Sequence, residues 1–502
     1  MLHSESPFIT LKDPARRAVI AGAAEAAAGL KITAEVVGGF VRDSLLGRPA
    51  ADLDIAAEGD TAALAAALAA TTGGSVFALD QAAAMYRIVL PPASAFRQID
   101  INAIHENLTA DIRRRDFTAD ALAAPLEGFD PAAGRLDITD LTGGLADIRE
   151  RRLRAVATDI FQQDPARLLR GVRLAAELDF SIDPATEALI MADAALAGSV
   201  AGERTREELL RLFSLPESGK AAEYLDRLGL LTAIFPEMAD SRGLVQPKEH
   251  AWDVLNHQLK TISALDWIFR QGSWPHAAET IRDMIPLPER VREYFNTPIN
   301  GFSRLALSRL AALLHDVAKP ETRVLTDTGR IRFFGHAQKG ATTTSVILER
   351  LRFSNRENDF VSAMVRAHLR PVQMGPEAML PTPRAVYRYR RDTGEAALAN
   401  LYLSLADHLA ARGPELELDN FNKHVTIVDY ILGELKRQSA DSERQRQLIS
   451  GHDLQKRLQM KPGPAMGAVL EAVREAQAAG EITTREAALG LARSIMATEQ
   501  TE

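Results

Sequence analysis

Asp52 and Asp54 stand one residue apart in a short apolar run, downstream of the glycine pair Gly38-Gly39. Aspartates so spaced on a β-strand point to the same face, because strand side chains alternate with period two. Hard oxygen ligands in that arrangement suit magnesium ions, which can activate an attacking hydroxyl and neutralise charge on a leaving pyrophosphate. Asp100, within the alternating run from Gln98 to Ile104, is a candidate third carboxylate. Gly38 and Gly39 let backbone amides approach a triphosphate, and Arg42 follows at a distance that can bring its guanidinium to the phosphates. An Asp-x-Asp pair alone also occurs on solvated strand ends, so its neighbours must decide its meaning.

A second group lies in Asp164-Pro165-Ala166-Arg167-Leu168-Leu169-Arg170-Gly171-Val172-Arg173. Asp164, Arg167, Arg170 and Arg173 recur every three residues and so share one flank of a helix. The proline near the start casts Asp164 as the helix cap. A carboxylate beside guanidiniums offers acceptors and donors together, which is what a protein needs to read the pairing edge of a base. The alternative is a solvated face with modest ion pairs.

A third group is made of His257, the adjacent His315-Asp316, His336, His368 and Asp407. Imidazole and carboxylate together suit Mn, Fe, Ni or Mg, and such an ion can activate water toward a phosphoester.

These residues need elements to carry them. Residues 32–145 alternate between strand and helix signals: Ile32 to Val37 is apolar and β-branched, Thr61 to Ala70 is alanine-rich, and Met85 to Leu90 and Gln98 to Ile104 alternate. From about Leu145 the pattern is helical. The expected fold class is α+β, a small α/β head followed by mostly α-helical parts. Breaks punctuate the chain near 236–247, 296–301 and 412–414. Trp267 to Gly301 reads as a loop-rich insertion.

With 502 residues the chain is too long for one core. It has no cysteine, which excludes disulfides and thiolate metal sites and leaves carboxylates and imidazoles as ligands. No apolar run is long enough to span a bilayer, and the first residues lack the pattern of a signal peptide, so a cytoplasmic location and no membrane partner are expected. No obligate protein partner is evident. The net charge of −8 runs against a uniformly basic nucleic-acid binder. Between Lys31 and Lys220, however, every fixed cation is an arginine, whose planar fork suits triphosphates and base edges.

The string Val36-Val37-Gly38-Gly39-Phe40-Val41-Arg42-Asp43-Ser44-Leu45-Leu46-Gly47-Arg48-Pro49, ending in Asp52-Leu53-Asp54-Ile55, resembles the first motif of the bacterial-type (class II) tRNA nucleotidyltransferase and poly(A) polymerase family. Asp111 to Thr118 resembles that family's second motif, which implies that Arg115 and Asp116 contact the sugar and select ribonucleotides. The family's usual Asn is replaced by Asp120. The stretch from Asp164 resembles the base-selecting motif, implying that Asp164 and Arg167 contact CTP or ATP and that Arg170 and Arg173 contact phosphates. Gln163 stands where the family has Glu. Glu203 to Leu209 resembles a supporting neck helix, His315-Asp316 with its partners resembles the HD superfamily of metal-dependent phosphohydrolases, and residues 449–487 resemble the family's tail.

The resemblance implies a polymerase-β-like nucleotidyltransferase head (32–145) after an N-terminal lead (1–31), a helical neck binding nucleotide and RNA (146–245), an HD domain (246–415) and a tRNA-binding tail (416–502). It implies CCA addition, whole or in part, to tRNA from CTP and ATP, with Mg²⁺ at the head and Mg²⁺ or a transition metal at the HD site. Poly(A) synthesis, CC-only or A-only addition, an HD phosphohydrolase with a nucleotide-binding N-terminal half, and a noncatalytic RNA-binding protein are the alternatives.

Overall fold

A run of β-branched and small residues from Thr33 to Val37 folds as a strand because all but its first residue are buried. A computed structural model describes residues 7–375, 379–444 and 447–499; residues 1–6, where a leader was sought, lie outside them. The chain forms two compact units, residues 1–200 with 227–233, and residues 201–226 with 234–502.

The first unit contains β1 (Phe8–Thr10), β2 (Thr33–Val37), β3 (Asp52–Glu58), β4 (Ser75–Asp80), β5 (Met85–Val89), β6 (Gln98–Ala103), β7 (Leu122–Pro125), β8 (Arg135–Asp137) and β9 (Thr139–Asp140). Seven of them make one sheet in the order β4-β5-β6-β3-β2-β7-β9. Only β3 and β6 run parallel, and their register sets Asp54 beside Asp100 and Asp52 beside Gln98. On its other side Asp54 neighbours Val37, the last residue of β2 before the glycine pair.

Two helices reach the sheet with clear stop signals. Pro14–Leu30 starts at Asp13, whose carboxylate accepts the Ala15 N–H at 2.9 Å. Thr61–Thr72 starts at Asp60, which accepts from Ala63, and ends on Gly73 in the left-handed region. The two pack together, and β1 pairs with β8. The segment expected as a separate lead is thus part of the head, because Ile20, Ala23 and Ala27 are buried there.

The stretch expected as a neck, 146–245, is divided between the two compact units. The helix Ala166–Leu178 belongs to the first unit, while Gly202–Ser214 belongs to the second. Within the second unit, residues 267–301 alternate loops with short elements. They hold the helices Glu279–Asp283 and Glu289–Asn296, and Phe295 stacks edge-on against Phe269 with ring centroids 4.4 Å apart. Buried aromatics at these positions bring the segment into the core. At the C-terminal end, Ile449, Leu454, Val469, Val473, Ala488 and Ala492 form a core of their own. His452-Asp453 there is a helix start: Ser450 and Asp453 make a reciprocal capping box. No helix of the described residues is long and apolar enough to cross a membrane.

Glu35 on β2 is a strained feature of the head. Burial, with Glu58 and Glu127 adding repulsion, pushes its carboxyl up to about 7, and its Oε2 has no hydrogen-bond partner. A raised folded-state value stabilises the fold fully below the ordinary carboxylate range and loses that contribution as pH rises through 7. Glu35→Gln is expected to raise head stability at pH 8 by about 1–3 kcal/mol and to leave it nearly unchanged at pH 4.5. Urea unfolding at the two pH values measures this, and an equal shift at both would contradict it.

Candidate functional site

Asp52 and Asp54 project from the same face of β3. Asp52 accepts from Arg97 at 2.9 and 3.3 Å. Asp54 carries no such partner bond. Its carboxyl is pushed up to about 6, first by burial, then by Asp100; Arg115 pulls it down and Asp52 raises it again. Crowded carboxylates of this kind fit a divalent cation, which would relieve their repulsion and hold Asp54 ionised.

Asp100 lies beside Asp54, yet both of its oxygens are taken by Arg87, at 2.8 and 2.7 Å. It therefore acts on Asp54 through charge, and a metal would have to compete with Arg87 for it. Gly38 has φ of +71°, and a Cβ there would sit 3.1 Å from Arg115 Nη1 and 3.7 Å from Asp54 Oδ2. That conformation and that close approach both require glycine. Gly39 opens the helix Gly39–Leu45.

Arg42 is engaged by two carboxylates. It is buried, with Nη1 donating to Asp120 at 2.5 Å and Nε donating to Asp43 at 2.9 Å. Two carboxylates hold it in place, so it braces the turn. Asp120, standing where Asn was anticipated, supplies one of them. The hydrogen-bond network left in doubt by that departure is therefore a charged one.

Arg115 donates to Asp111 at 3.1 Å. Asp116 accepts the Phe117 N–H at 2.9 Å and pairs with Arg170 at 2.7 Å. Burial would raise the Asp116 carboxyl, but Arg170, the Phe117 amide and Arg167 outweigh it and hold it below the usual range. Arg170 also lies 3.9 Å from Asp120. The helix Ala166–Leu178 thus ties the second motif to the third.

Asp164 is not the cap of that helix. Pro165 occupies the cap position, and Asp164 ends the preceding short helix Ile160–Gln163 while accepting the Ala166 N–H at 3.2 Å. Arg167 donates to the Arg114 carbonyl at 2.7 Å and lies 3.9 Å from Asp164. Arg173 is different: it is buried and paired with Glu177, which also lies 3.8 Å from Arg48.

The six residues of the third group converge in the second unit from five helices or helix ends. His257 lies on Val254–Ile268, His315 caps Arg304–Leu314, His336 opens His336–Arg350, His368 caps Asn355–Ala367, and Asp407 lies on Ala397–Arg412. His315, His336 and His368 each bond a backbone carbonyl through Nδ1, to Ala312, Phe333 and Val365 at 2.8, 2.8 and 2.7 Å. Those bonds turn Nε2 inward on all three rings. His257 Nε2 then lies 3.2 Å from His315 Nε2 and 3.0 Å from Asp407.

Asp316 joins the halves. Its Oδ2 lies 3.1 Å from His315 and 3.4 Å from His257, and its Oδ1 lies 3.4 Å from His336 and 3.8 Å from His368. Two three-residue clusters with metal-ligand spacing result, sharing Asp316. Facing imidazole lone pairs, and a buried Asp316 Oδ1 with no hydrogen bond, fit cations there. Burial opposes the charge of Asp316, but His315 and Lys319 overcome it and hold the carboxyl well below the usual range.

Several participants were not visible in the sequence reading. Arg87 and Asp100 are cross-strand partners, a pairing that needs the register. Arg97, Asp43 and Asp111 lie inside or beside the motifs, and their contacts with Asp52, Arg42 and Arg115 appear only in the fold. Lys319, at 2.6 Å from Asp316, follows His315-Asp316 by one helical turn, a spacing that could have revealed it.

A sheet carrying paired carboxylates after a glycine turn, followed by an arginine-bearing helix, defines a nucleotidyltransferase head, and the histidine cluster defines an HD body. Models of three families match: "Poly A polymerase head domain" over 34–154, "Probable RNA and SrmB- binding site of polymerase A" over 179–241, and "HD domain" over 289–412. An A-adding tRNA nucleotidyltransferase of Deinococcus radiodurans is 35% identical over 91% of this chain and 94% of its own. A CC-adding tRNA nucleotidyltransferase of Thermus thermophilus is 33% identical over 97% and 95%. The solved structure of a Thermotoga maritima CCA-adding enzyme complexed with tRNA shares the fold, with a TM-score of 0.62 over 98% of this chain and 99% of its own at 19% identity. The chain belongs to the tRNA nucleotidyltransferase and poly(A) polymerase family, with an HD domain.

Proposed function

We propose that the protein adds CCA, or part of it, to the 3′ end of tRNA from CTP and ATP. The observation that carries this is Asp54: a half-buried carboxylate beside Asp52 and Asp100, with no hydrogen-bond partner among the described residues and close to the Gly38 turn. The relatives that match along nearly the whole chain are named for A addition and for CC addition, which favours tRNA over poly(A) as the product. Asp52 and Asp54 would hold Mg²⁺, which supplies charge neutralisation and lowers the pKa of the attacking hydroxyl. The hydroxyl oxygen joins the α-phosphorus as the bond to the β-phosphate oxygen breaks, and pyrophosphate leaves. Arg115 and Asp116 would contact the ribose, and Asp164 with Arg167 would offer acceptor and donors to the base edge.

Incubating the protein with Mg²⁺, each labelled nucleoside triphosphate, and tRNAs lacking their last three, last two or last one nucleotide tests this. Wild-type protein incorporates C, A or both, while Asp164→Ala also accepts G or U at more than tenfold above the wild-type level. No incorporation of any nucleotide would refute the activity, and unchanged selectivity would remove Asp164 from base choice.

A second reading is favoured by the paired histidine clusters sharing Asp316. The HD body hydrolyses a phosphate ester: a water oxygen joins phosphorus as the ester P–O bond breaks, and the ester oxygen leaves with a proton as a hydroxyl. His257, His315, Asp316, His336, His368 and Asp407 would hold the ions that activate that water.

A further inference from the structure

Four residues stand side by side across the head sheet. Phe77 on β4 pairs with Arg87 on β5, Arg87 with Asp100 on β6, and Asp100 with Asp54 on β3. Residues paired across neighbouring strands project to the same face, so the ring of Phe77 shares the face of Asp52 and Asp54. A second row on that face runs through Ser75, Val89, Gln98 and Asp52.

The outer end of both rows is apolar and open. β4 is the edge strand of the sheet, and Phe77 is 54% exposed and Val89 43% exposed. Edge strands are ordinarily protected by charge, proline or a covering element, so a bare ring here asks for an occupant. Two guanidiniums lie between the ring and the carboxylates' outer side. Arg87 holds Asp100 with a third of its own side chain in water, and Arg97 holds Asp52 while remaining mostly exposed. An open ring beside exposed guanidiniums is the composition of a platform for single-stranded nucleic acid: bases of any sequence stack on the ring, and arginines attract the backbone phosphates.

Position decides which nucleic acid this is. Phe77 lies three strand spacings from Asp54, about 14 Å, which is too far for a nucleotide whose α-phosphate is at the metals to lay its base on the ring. Gly38 and Asp120, which adjoin β2 and β7, mark the nucleotide side of β3, and β4 lies on the opposite side. The strand that brings the attacking hydroxyl is the remaining candidate. We propose that the β4 side of this face seats the single-stranded 3′ end of the RNA, with an unpaired base stacked on Phe77 and the backbone passing Arg87 and Arg97 toward Asp54. This rests on the reading of the protein as a tRNA nucleotidyltransferase.

Binding measured without turnover tests the site apart from the reaction. Fluorescence anisotropy of the full chain, with no nucleoside triphosphate present, compares a labelled tRNA lacking its last three nucleotides with the same tRNA trimmed back to its last base pair. Wild-type protein is expected to bind the first about tenfold more tightly, the effect of one base on one ring. Phe77→Ala is expected to abolish that difference, and Phe77→Trp to keep it. Equal affinity of the wild-type protein for the two tRNAs, or a difference that survives in Phe77→Ala, overturns the proposal. A Phe77→Ala protein that sediments as a smaller species than the wild type also overturns it, because the ring then lies between two copies of the chain. A Phe77-dependent preference for the unpaired end, in a protein that adds no nucleotide, leaves the site standing and refutes the transferase reading.

Discussion

Asp54→Asn is expected to reduce nucleotide addition at least a thousandfold, about 4 kcal/mol of transition-state stabilisation, while leaving the protein folded. The substitution removes a metal-binding oxygen at the centre of the head site. It also removes a charge that the fold resists, since burial and Asp100 already push the Asp54 carboxyl up to about 6. A neutral amide of the same shape should therefore leave the unfolding midpoint at pH 8 unchanged or higher. The combination is diagnostic: activity lost with stability kept means that the carboxylate serves the reaction. Activity kept within tenfold would remove Asp54 from the centre.

The second large effect concerns Asp316→Asn. This residue contributes to both histidine clusters and bonds Lys319, so its charge is common to every ion the body would hold. Release of phosphate from a phosphate ester is expected to fall at least a hundredfold, and bound Mn²⁺ or Ni²⁺, measured by atomic absorption after dialysis, should fall with it. Nucleotide addition to tRNA should stay within about twofold, because the carboxylates of the head lie in the other compact unit. The amide keeps the side-chain volume, which guards against a cavity at this buried position. Phosphate release unaffected by the change would refute the HD reading, and loss of both activities would mean that the two units do not act separately.

How far the sequence alone reaches is best seen in particular residues. The periodicity of Thr33 to Val37, Met85 to Val89 and Gln98 to Ala103 announces three head strands, and the alternation of Asp52 and Asp54 announces a shared face. Strands β4 and β7 leave no such trace. Every residue of β4 is exposed, and β7 is buried nearly throughout, so neither alternates. The glycine turn was legible because its function demands residue types; the partners of Arg42 were not, because Asp43 is adjacent and Asp120 is distant in sequence. The burial of Arg173 was likewise not legible. Its spacing from Asp164 and Arg167 matches the helix, but the helix turns it inward to Glu177. All six histidine and aspartate candidates converge, since each sits at a helix end or on an inward face. That Ile20 and the helix Ala166–Leu178 pack into the first compact unit was not legible, because their burial depends on tertiary contacts.

The central claim is that this protein reads C and A without a template and stops. The most direct measurement is to incubate it with Mg²⁺, all four nucleoside triphosphates and tRNAs ending before C, before the second C and before A, and to sequence the products. The account predicts only C, A or both, ending at or before CCA. Tails extending beyond that point, incorporation of G or U, or no extension of any of the three tRNAs would contradict it.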